Sequence, residues 1–328
     1  MRNIALYIST AAILFIAIAI FTFSTTTDNK PQKSYYETYK TDYKIFNPPM
    51  PIMIDLAGEK TPLNLYYVNE KLEKEILKNA YWHSNSLLLF KRANRWFPVI
   101  EPILEKNNIP NDFKYLALIE SGLENVVSPA GARGFWQFMT NTAKEYGLVV
   151  NKDIDERYNV EKATQVACDY LNDAYKKFGN WTLVAASYNR GMSGIQKQMN
   201  TQNVDNYYDL SLNSETGRYV YRILSMKVIF EQPSKYGFQL REMDLFPPLE
   251  TYTVAVDSSV TSWGNFAENY NISYGMLKEL NPWLRRSSLA NSNSQVYNIN
   301  LPLESMSNYE AMKHKLKSVL GVFGEEKK

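Results

Sequence analysis

"YLALIESGLENVVSPAGARGFWQFM", residues 115–139, carries an apolar helical run into a carboxylate, Glu120, and then through a Ser-Pro-Ala-Gly-Ala turn into Gly-Phe-Trp-Gln-Phe. Pro110 suits the first turn of a helix, where its missing N–H costs nothing, and Phe113, Leu116, Ala117 and Glu120 follow at i, i+3, i+4 and i+7. The acid therefore shares a stripe with apolar side chains. Partial desolvation there favours the neutral form and raises the pKa toward the range of a proton donor. A bland reading competes, a helix-end glutamate reaching solvent beside Gly122. The small residues from Ser128 to Ala132 let a ligand approach backbone. Trp136, Gln137 and Met139 offer a sugar platform, an amide for an N-acetyl group and a soft wall, although Trp and Met in helical proteins usually fill core.

Outward from this stretch, helical spacing dominates. Phe90, Ala93, Phe97, Ile100 and Leu104 form one face; Val160, Ala163, Ala167, Leu171, Ala174 and Phe178 form another, with Gly179 positioned to end it. Tyr219, Ile223, Met226 and Phe230 make a third, and no alternating strand pattern interrupts them before about residue 233. An all-α domain is expected over 65–240. "AASYNRGMSG" ends an apolar helix with Tyr188-Asn189, and "SETGRYVYRIL" opens the last one with Glu215 and Tyr219.

Composition excludes several functions. A chain of 328 residues, 45% hydrophobic, can bury one sizeable core and a second small one. A net charge of +2 from interspersed acids and bases gives no basic stripe for a phosphate backbone, so nucleic acid is excluded as the expected partner. Cys168 is the only cysteine, which rules out an intrachain disulfide. His83 and His314 sit in no metal-ligand spacing and beside no Gly-x-Ser-x-Gly elbow, so chemistry rests on carboxylates, hydroxyls and amides.

At the N-terminus, "NIALYISTAAILFIAIAIFTFSTTT" follows Met1-Arg2 with no further charge before Asp28, about long enough for one membrane-spanning helix. Residues 1–24 read as an uncleaved anchor first and a cleaved signal peptide second, with the rest of the chain outside the cytoplasm. No cysteine follows to make a lipoprotein. Residues 25–64 are polar and then proline-punctuated, and read as a linker.

Glu-Ser-Gly at 120–122, Ser-Pro-Ala-Gly-Ala then Gly-Phe-Trp-Gln-Phe-Met, "TAKEYGL", "DERYNVEKATQVACDYL", Ala-x-Tyr-Asn-x-Gly and Glu-Thr-x-x-Tyr-Val resemble, in this order, the lytic transglycosylases of glycoside hydrolase family 23. The likeness covers about residues 85–233. It implies a mainly α, goose-type-lysozyme-like domain acting on the glycan strands of bacterial peptidoglycan in the cell envelope, without metal or cofactor. It also implies a single catalytic acid, Glu120, that protonates the oxygen leaving C1 of N-acetylmuramic acid and then takes the proton of the same sugar's C6 hydroxyl, closing a 1,6-anhydro ring. Ordinary glycosidases use a carboxyl pair. By the same likeness Ser128, Gln137 and Met139 line the cleft, and Tyr188, Asn189 and Tyr219, with Glu215, hold the N-acetyl group and orient the acid. Ser187 stands where the family more usually has Ala, sparing the Tyr-Asn pair.

With Tyr-Thr-Val at 252–254, Phe-Ala-x-x-Tyr-x-Ile-Ser at 266–273, Leu-x-x-Leu-Asn-Pro at 277–282 and a closing Leu-Pro at 301–302, residues 248–303 resemble a degenerate LysM module, a small α+β unit of βααβ order that binds N-acetylglucosamine-containing glycans. The Gly-Asp-Thr-Leu of its first turn is replaced by Val256 to Val260, in the region that normally contacts sugar. Tyr252, Tyr270, Tyr274 and Trp283 are its aromatic candidates for a glycan surface. Residues 304–328 are expected to be a frayed helix. Two other functions remain open on sequence: a hydrolytic lysozyme with Asp153 or Asp155 facing Glu120, and a non-catalytic glycan-binding scaffold in which Glu120 is inert.

Overall fold

The computed structural model describes residues 44–314. The expected anchor at 1–24, the first part of the linker at 25–43 and the end of the tail at 315–328 lie outside these residues. Among the described residues no helix is long and apolar enough to cross a membrane.

A short hairpin, β1 (Asp55–Leu56) with β2 (Glu59–Lys60), leads into the helices. These are α1 (Tyr66–Tyr81), α2 (His83–Lys106), α3 (Lys114–Ser121), α4 (Thr140–Glu145), α5 (Val160–Phe178), α6 (Trp181–Arg190), α7 (Met192–Gln202) and α8 (Thr216–Glu231). The expected faces are the buried ones. Phe90, Ala93, Phe97, Ile100 and Leu104 of α2 are closed to solvent, and so are Ala163, Ala167, Leu171 and Ala174 of α5. The α5 ends are cut as its sequence requires: the Asn159 side chain accepts from Lys162 N at 3.0 Å, and Gly179 at φ 61° turns the chain out. Helix α8 is buried on nearly every side, packing on α1, α3 and α6, and forms the centre of the domain.

Pro110 does not open α3 directly. It precedes a single 3₁₀ turn, Asn111–Phe113, that feeds into α3, leaving α3 short and ending it at Gly122 (φ 65°). The segment from 122 to 139 then folds back on α3 as a loop. The Ser121 hydroxyl donates to Phe135 O at 2.9 Å, and Arg133 bridges both Val127 and Phe138. Gly134, at φ 78°, lies so close to the chain at Arg157 that a Cβ there would stand 1.8 Å from Arg157 O. Only glycine permits that approach. Arg157 itself is buried and donates to Gly131 O and Phe138 O at 3.3 and 3.1 Å while pairing with Asp155 at 2.8 Å.

The C-terminal unit has the expected βααβ order: β3 (Thr251–Val256), α9 (Trp263–Asn269), α10 (Tyr274–Leu280) and β4 (Tyr297–Pro302). Strands β3 and β4 pair antiparallel from Thr251↔Pro302 to Val256↔Tyr297. Ser262 and Ser273 cap the two helices through their hydroxyls. Its core of Val256, Trp263, Ala267, Leu277, Trp283, Ile299 and Leu301 also contains Ile154 and Tyr158, contributed from just before α5. Backbone bonds stitch the same seam, Asp155 N to Trp283 O at 2.9 Å and Arg285 N to Asp153 O at 2.8 Å. The unit is thus tied to the helical domain, whose Ile154 and Tyr158 complete the module's own apolar core. Beyond it lie a 3₁₀ turn (Glu304–Ser307) and α11 (Tyr309–His314).

Candidate active site

Glu120 sits one residue from the end of α3, with Phe113, Leu116 and Ala117 of its stripe fully buried beneath it. Its Oε1 accepts a very short hydrogen bond from the Tyr219 hydroxyl, which α8 carries into the core. Burial pushes the Glu120 carboxyl above the usual carboxylate range, and the charge of Glu215 adds to the rise. The Tyr219 bond and the nearby Arg222 guanidinium oppose it without cancelling it. Tyr219 is held well above the usual phenol range, first by burial and then by Glu120, so it remains a donor. Arg222 follows Tyr219 by three positions on the same face of α8 and donates to Ile119 O at 2.6 Å, satisfying a carbonyl that the short α3 leaves open.

A cavity of about 480 Å³ opens over Glu120. Its walls include Glu75, Arg92, Glu124, Glu215, Arg218 and Arg222. Glu75 is tied bidentately to Arg218 at 2.7 and 2.9 Å, and Glu124 pairs with Arg92 at 2.6 Å. Glu215 differs from them: it is exposed and, among the described residues, accepts only the Asn189 amide, at 3.0 Å. Asn189 Oδ1 accepts in turn from Thr216 Oγ1 at 2.8 Å.

Of the residues expected to hold substrate, Glu215 shares this cavity with Glu120, and Asn189 and Tyr219 join it through hydrogen bonds. Tyr188 donates to Trp136 O at 2.8 Å and is raised well above the usual phenol range by burial first and by Glu120 second. The loop residues stand apart from the cavity wall. Gln137, at φ 50°, is clamped through Nε2 to Gly134 O at 2.7 Å and Val126 O at 3.2 Å. The Ser128 hydroxyl accepts from Ala132 N at 3.0 Å and shapes the turn, while Met139 is 45% exposed.

Two sequence expectations are corrected by this geometry. Trp136 cannot be a sugar platform: it is fully buried, its Nε1 donating to Thr164 Oγ1 at 2.8 Å. Neither Asp153 nor Asp155 borders the cavity of Glu120. Asp155 is buried against Arg157, with Arg133 at 3.5 Å, and Asp153 pairs with Arg286 of the C-terminal unit at 3.4 Å. The sequence reading missed the arginines, Arg92, Arg218 and Arg222. The spacing of Arg222 from Tyr219 was a usable signal; the partners of the other two are far away in sequence.

Residues 98–210 match the family "Transglycosylase SLT domain", and residues 252–305 match "Soluble lytic transglycosylase C-terminal LysM-like domain". The chain is 28% identical over 234 residues to membrane-bound lytic murein transglycosylase D of Escherichia coli strain K12, and equally to that of strain O6:H1. The alignment covers 70% of this chain and 50% of the relative, so the chain spans about half the length of the curated relatives it matches. Among solved structures, the 70 kDa soluble lytic transglycosylase of E. coli matches with a TM-score of 0.34 and 22% identity, over 43% of this chain and 24% of that one. The chain carries a lytic-transglycosylase SLT-family domain followed by a LysM-like module, and is homologous to membrane-bound lytic murein transglycosylase D of E. coli.

Proposed function

We propose that this chain is a peptidoglycan lytic transglycosylase of the cell envelope in which Glu120 serves first as general acid and then as general base. The observation that carries the reading is Glu120 itself: a carboxyl that burial pushes above the usual carboxylate range, bonded to Tyr219 and lining a cavity. In the first step Glu120 gives its proton to the glycosidic oxygen as the bond from C1 of N-acetylmuramic acid breaks. In the second the resulting carboxylate takes the proton of the C6 hydroxyl, whose oxygen bonds to C1. The proton account closes on one residue, and no water is consumed. The nucleophile is already part of the substrate, so its attack is intramolecular.

Tyr219 orients the carboxyl and steadies its ionised form between the steps. Asn189 and Glu215 form the rim that would receive the N-acetyl group, with Tyr188 behind them. Ser128, Gln137 and Met139 are proposed as the loop side of the same cleft. The apolar N-terminal segment is proposed as the membrane anchor that keeps the enzyme beside its substrate, and the LysM-like module as a second glycan contact. Domain limits of 65–240 and 248–303 are proposed on the sequence boundaries.

A hydrolytic reading has one supporting observation, Glu215, which shares the cavity and is not tied up by an arginine. Mass spectrometry of murein digested by the protein lacking residues 1–27 separates the two. Muropeptides with 1,6-anhydro ends are expected; ends that are only reducing muramic acid would reject the proposal in favour of a lysozyme with Glu215 as second acid.

A further inference from the structure

The helical domain and the LysM-like module enclose a second groove, of about 780 Å³. It adjoins the cavity of Glu120, because the Arg92–Glu124 pair lines both and forms the wall between them. Arg95, three residues after Arg92 on α2, also lines the groove. Its Nε donates to Pro247 O at 3.0 Å and its guanidinium lies 5.2 Å from the centre of the Phe246 ring. Among the described residues no carboxylate stands within ion-pair distance of it, and its terminal nitrogens have no hydrogen-bond partner. Burial draws its pKa below the ordinary arginine range, an effect that Glu279 and Tyr309 nearby oppose. A guanidinium held by its inner nitrogen, stacked on a ring and open at its outer fork, matches the bidentate geometry of a carboxylate.

The remaining walls narrow the occupant. Asn125 from the helical domain and Asn300 from β4 line the groove with side-chain amides that make no hydrogen bond among the described residues, suited to peptide N–H and C=O groups. Glu161 and Glu279 are exposed on the same groove and would receive an amino group. The indoles are already engaged, Trp283 stacked on Tyr297 and Trp96 against Phe135, which argues against a sugar platform. Trp283 is buried in this wall with its Nε1 unpartnered, a further donor for a ligand oxygen.

We propose that this groove binds the peptide branch of the peptidoglycan strand being cut, with Arg95 pairing to a peptide carboxylate while the glycan lies at Glu120. The inference rests on the reading of the chain as a peptidoglycan enzyme. Continuity across the Arg92–Glu124 wall lets one ligand occupy both cavities, glycan on one side and branch on the other. Specificity for peptide-bearing strands then comes from the seam between the two units.

The test compares two soluble fragments with the same glycan, one carrying its peptides and one stripped of them, by equilibrium binding to the full chain carrying Glu120→Gln. The peptide-bearing fragment is expected to bind about tenfold tighter, as one charge-assisted bidentate contact would give. Adding Arg95→Gln should bring the two affinities within about twofold of each other while leaving the stripped fragment's Kd unchanged. Asn125→Trp, which fills the groove from an exposed position without touching the Arg95–Pro247 contact, should do the same and decides the matter if Arg95→Gln fails to fold. Equal affinities in the parent protein, or a preference that survives the groove substitutions, overturn the proposal. If neither fragment binds and the protein carrying Glu120 releases nothing from murein, the enzymatic reading has failed instead.

Discussion

The hydroxyl of Tyr219, near the start of α8, donates to Oε1 of Glu120, near the end of α3, across 99 positions of sequence. Both groups are drawn out of water by the same core. Each raises the other's hold on its proton or its charge: Glu120 keeps Tyr219 a phenol, and Tyr219 offers its proton to the Glu120 carboxylate once that forms. This is the arrangement a single carboxyl needs to act in both directions.

Glu120→Gln keeps the shape and removes the titrating proton, so turnover of murein should fall at least about a hundredfold. Stability should move the other way. Burial raises the folded-state pKa of Glu120 above its unfolded value, so the native state binds more protons and loses stability as pH rises between those values. The Gln variant escapes that loss. Its Tm relative to the parent should therefore increase from pH 4 to pH 7, and a Tm difference that is flat across this range would refute the elevated pKa.

Tyr219→Phe removes a hydrogen bond that lowers the Glu120 pKa. The alkaline limb of the kcat/KM profile, where Glu120 gives up its proton, should shift to higher pH, and turnover should fall about tenfold for loss of one bond to a charged group. A pH profile superimposable on the parent's would mean that the bond does not act in the reaction.

Asp155→Asn tests structure rather than chemistry. Breaking a buried pair leaves Arg157 uncompensated beneath the 131–138 loop, which typically costs roughly 3–5 kcal/mol. Denaturant titration should register that loss, while the pH profile of the remaining activity keeps its limbs. Limbs that move would return Asp155 to the list of candidate acids.

Ile154→Ala should weaken both units at once. The side chain is buried in the core of the LysM-like module although it belongs to the segment before α5, so truncation should cost roughly 2–5 kcal/mol. Deleting residues 248–303 uncovers Ile154 and Tyr158 together. It should lower Tm and reduce turnover on short soluble glycans as well as on sacculi, where a loosely tethered module would spare the soluble substrates. Unchanged Tm after deletion would show the shared core to be energetically idle.

What the sequence could reveal depended on range. The faces of α2, α5 and α8 are periodic, so Phe97, Ala167 and Tyr219 declared their burial by spacing alone, and the Glu120 stripe did the same. Trp136 misled because an indole after a glycine-rich turn looks alike whether it faces a ligand or Thr164. Asp155 and Arg157 sit two residues apart, but nothing in that spacing says that their pair is sealed under Phe138 and Gly131. Ile154 gave no hint that its partners, Leu284 and Trp283, come from the other unit, since contacts across such separations leave no period to read. The βααβ order was visible through the resemblance of residues 248–303 to a LysM module, and the structure adds that Ser262 and Ser273 cap its two helices.

The core shared by Ile154, Tyr158 and the LysM-like module also sets a distance. Units joined by a slack linker sample many separations, and a strand held by one can meet the other at many points. Here Asp155 N is bonded to Trp283 O and Arg285 N to Asp153 O, so the offset from module to Glu120 is a constant of the fold. On the proposed function, this build would act as a ruler. A strand gripped by both units would be cut at a set interval from the grip, and its products would cluster in length where those of a slack-tethered enzyme would spread.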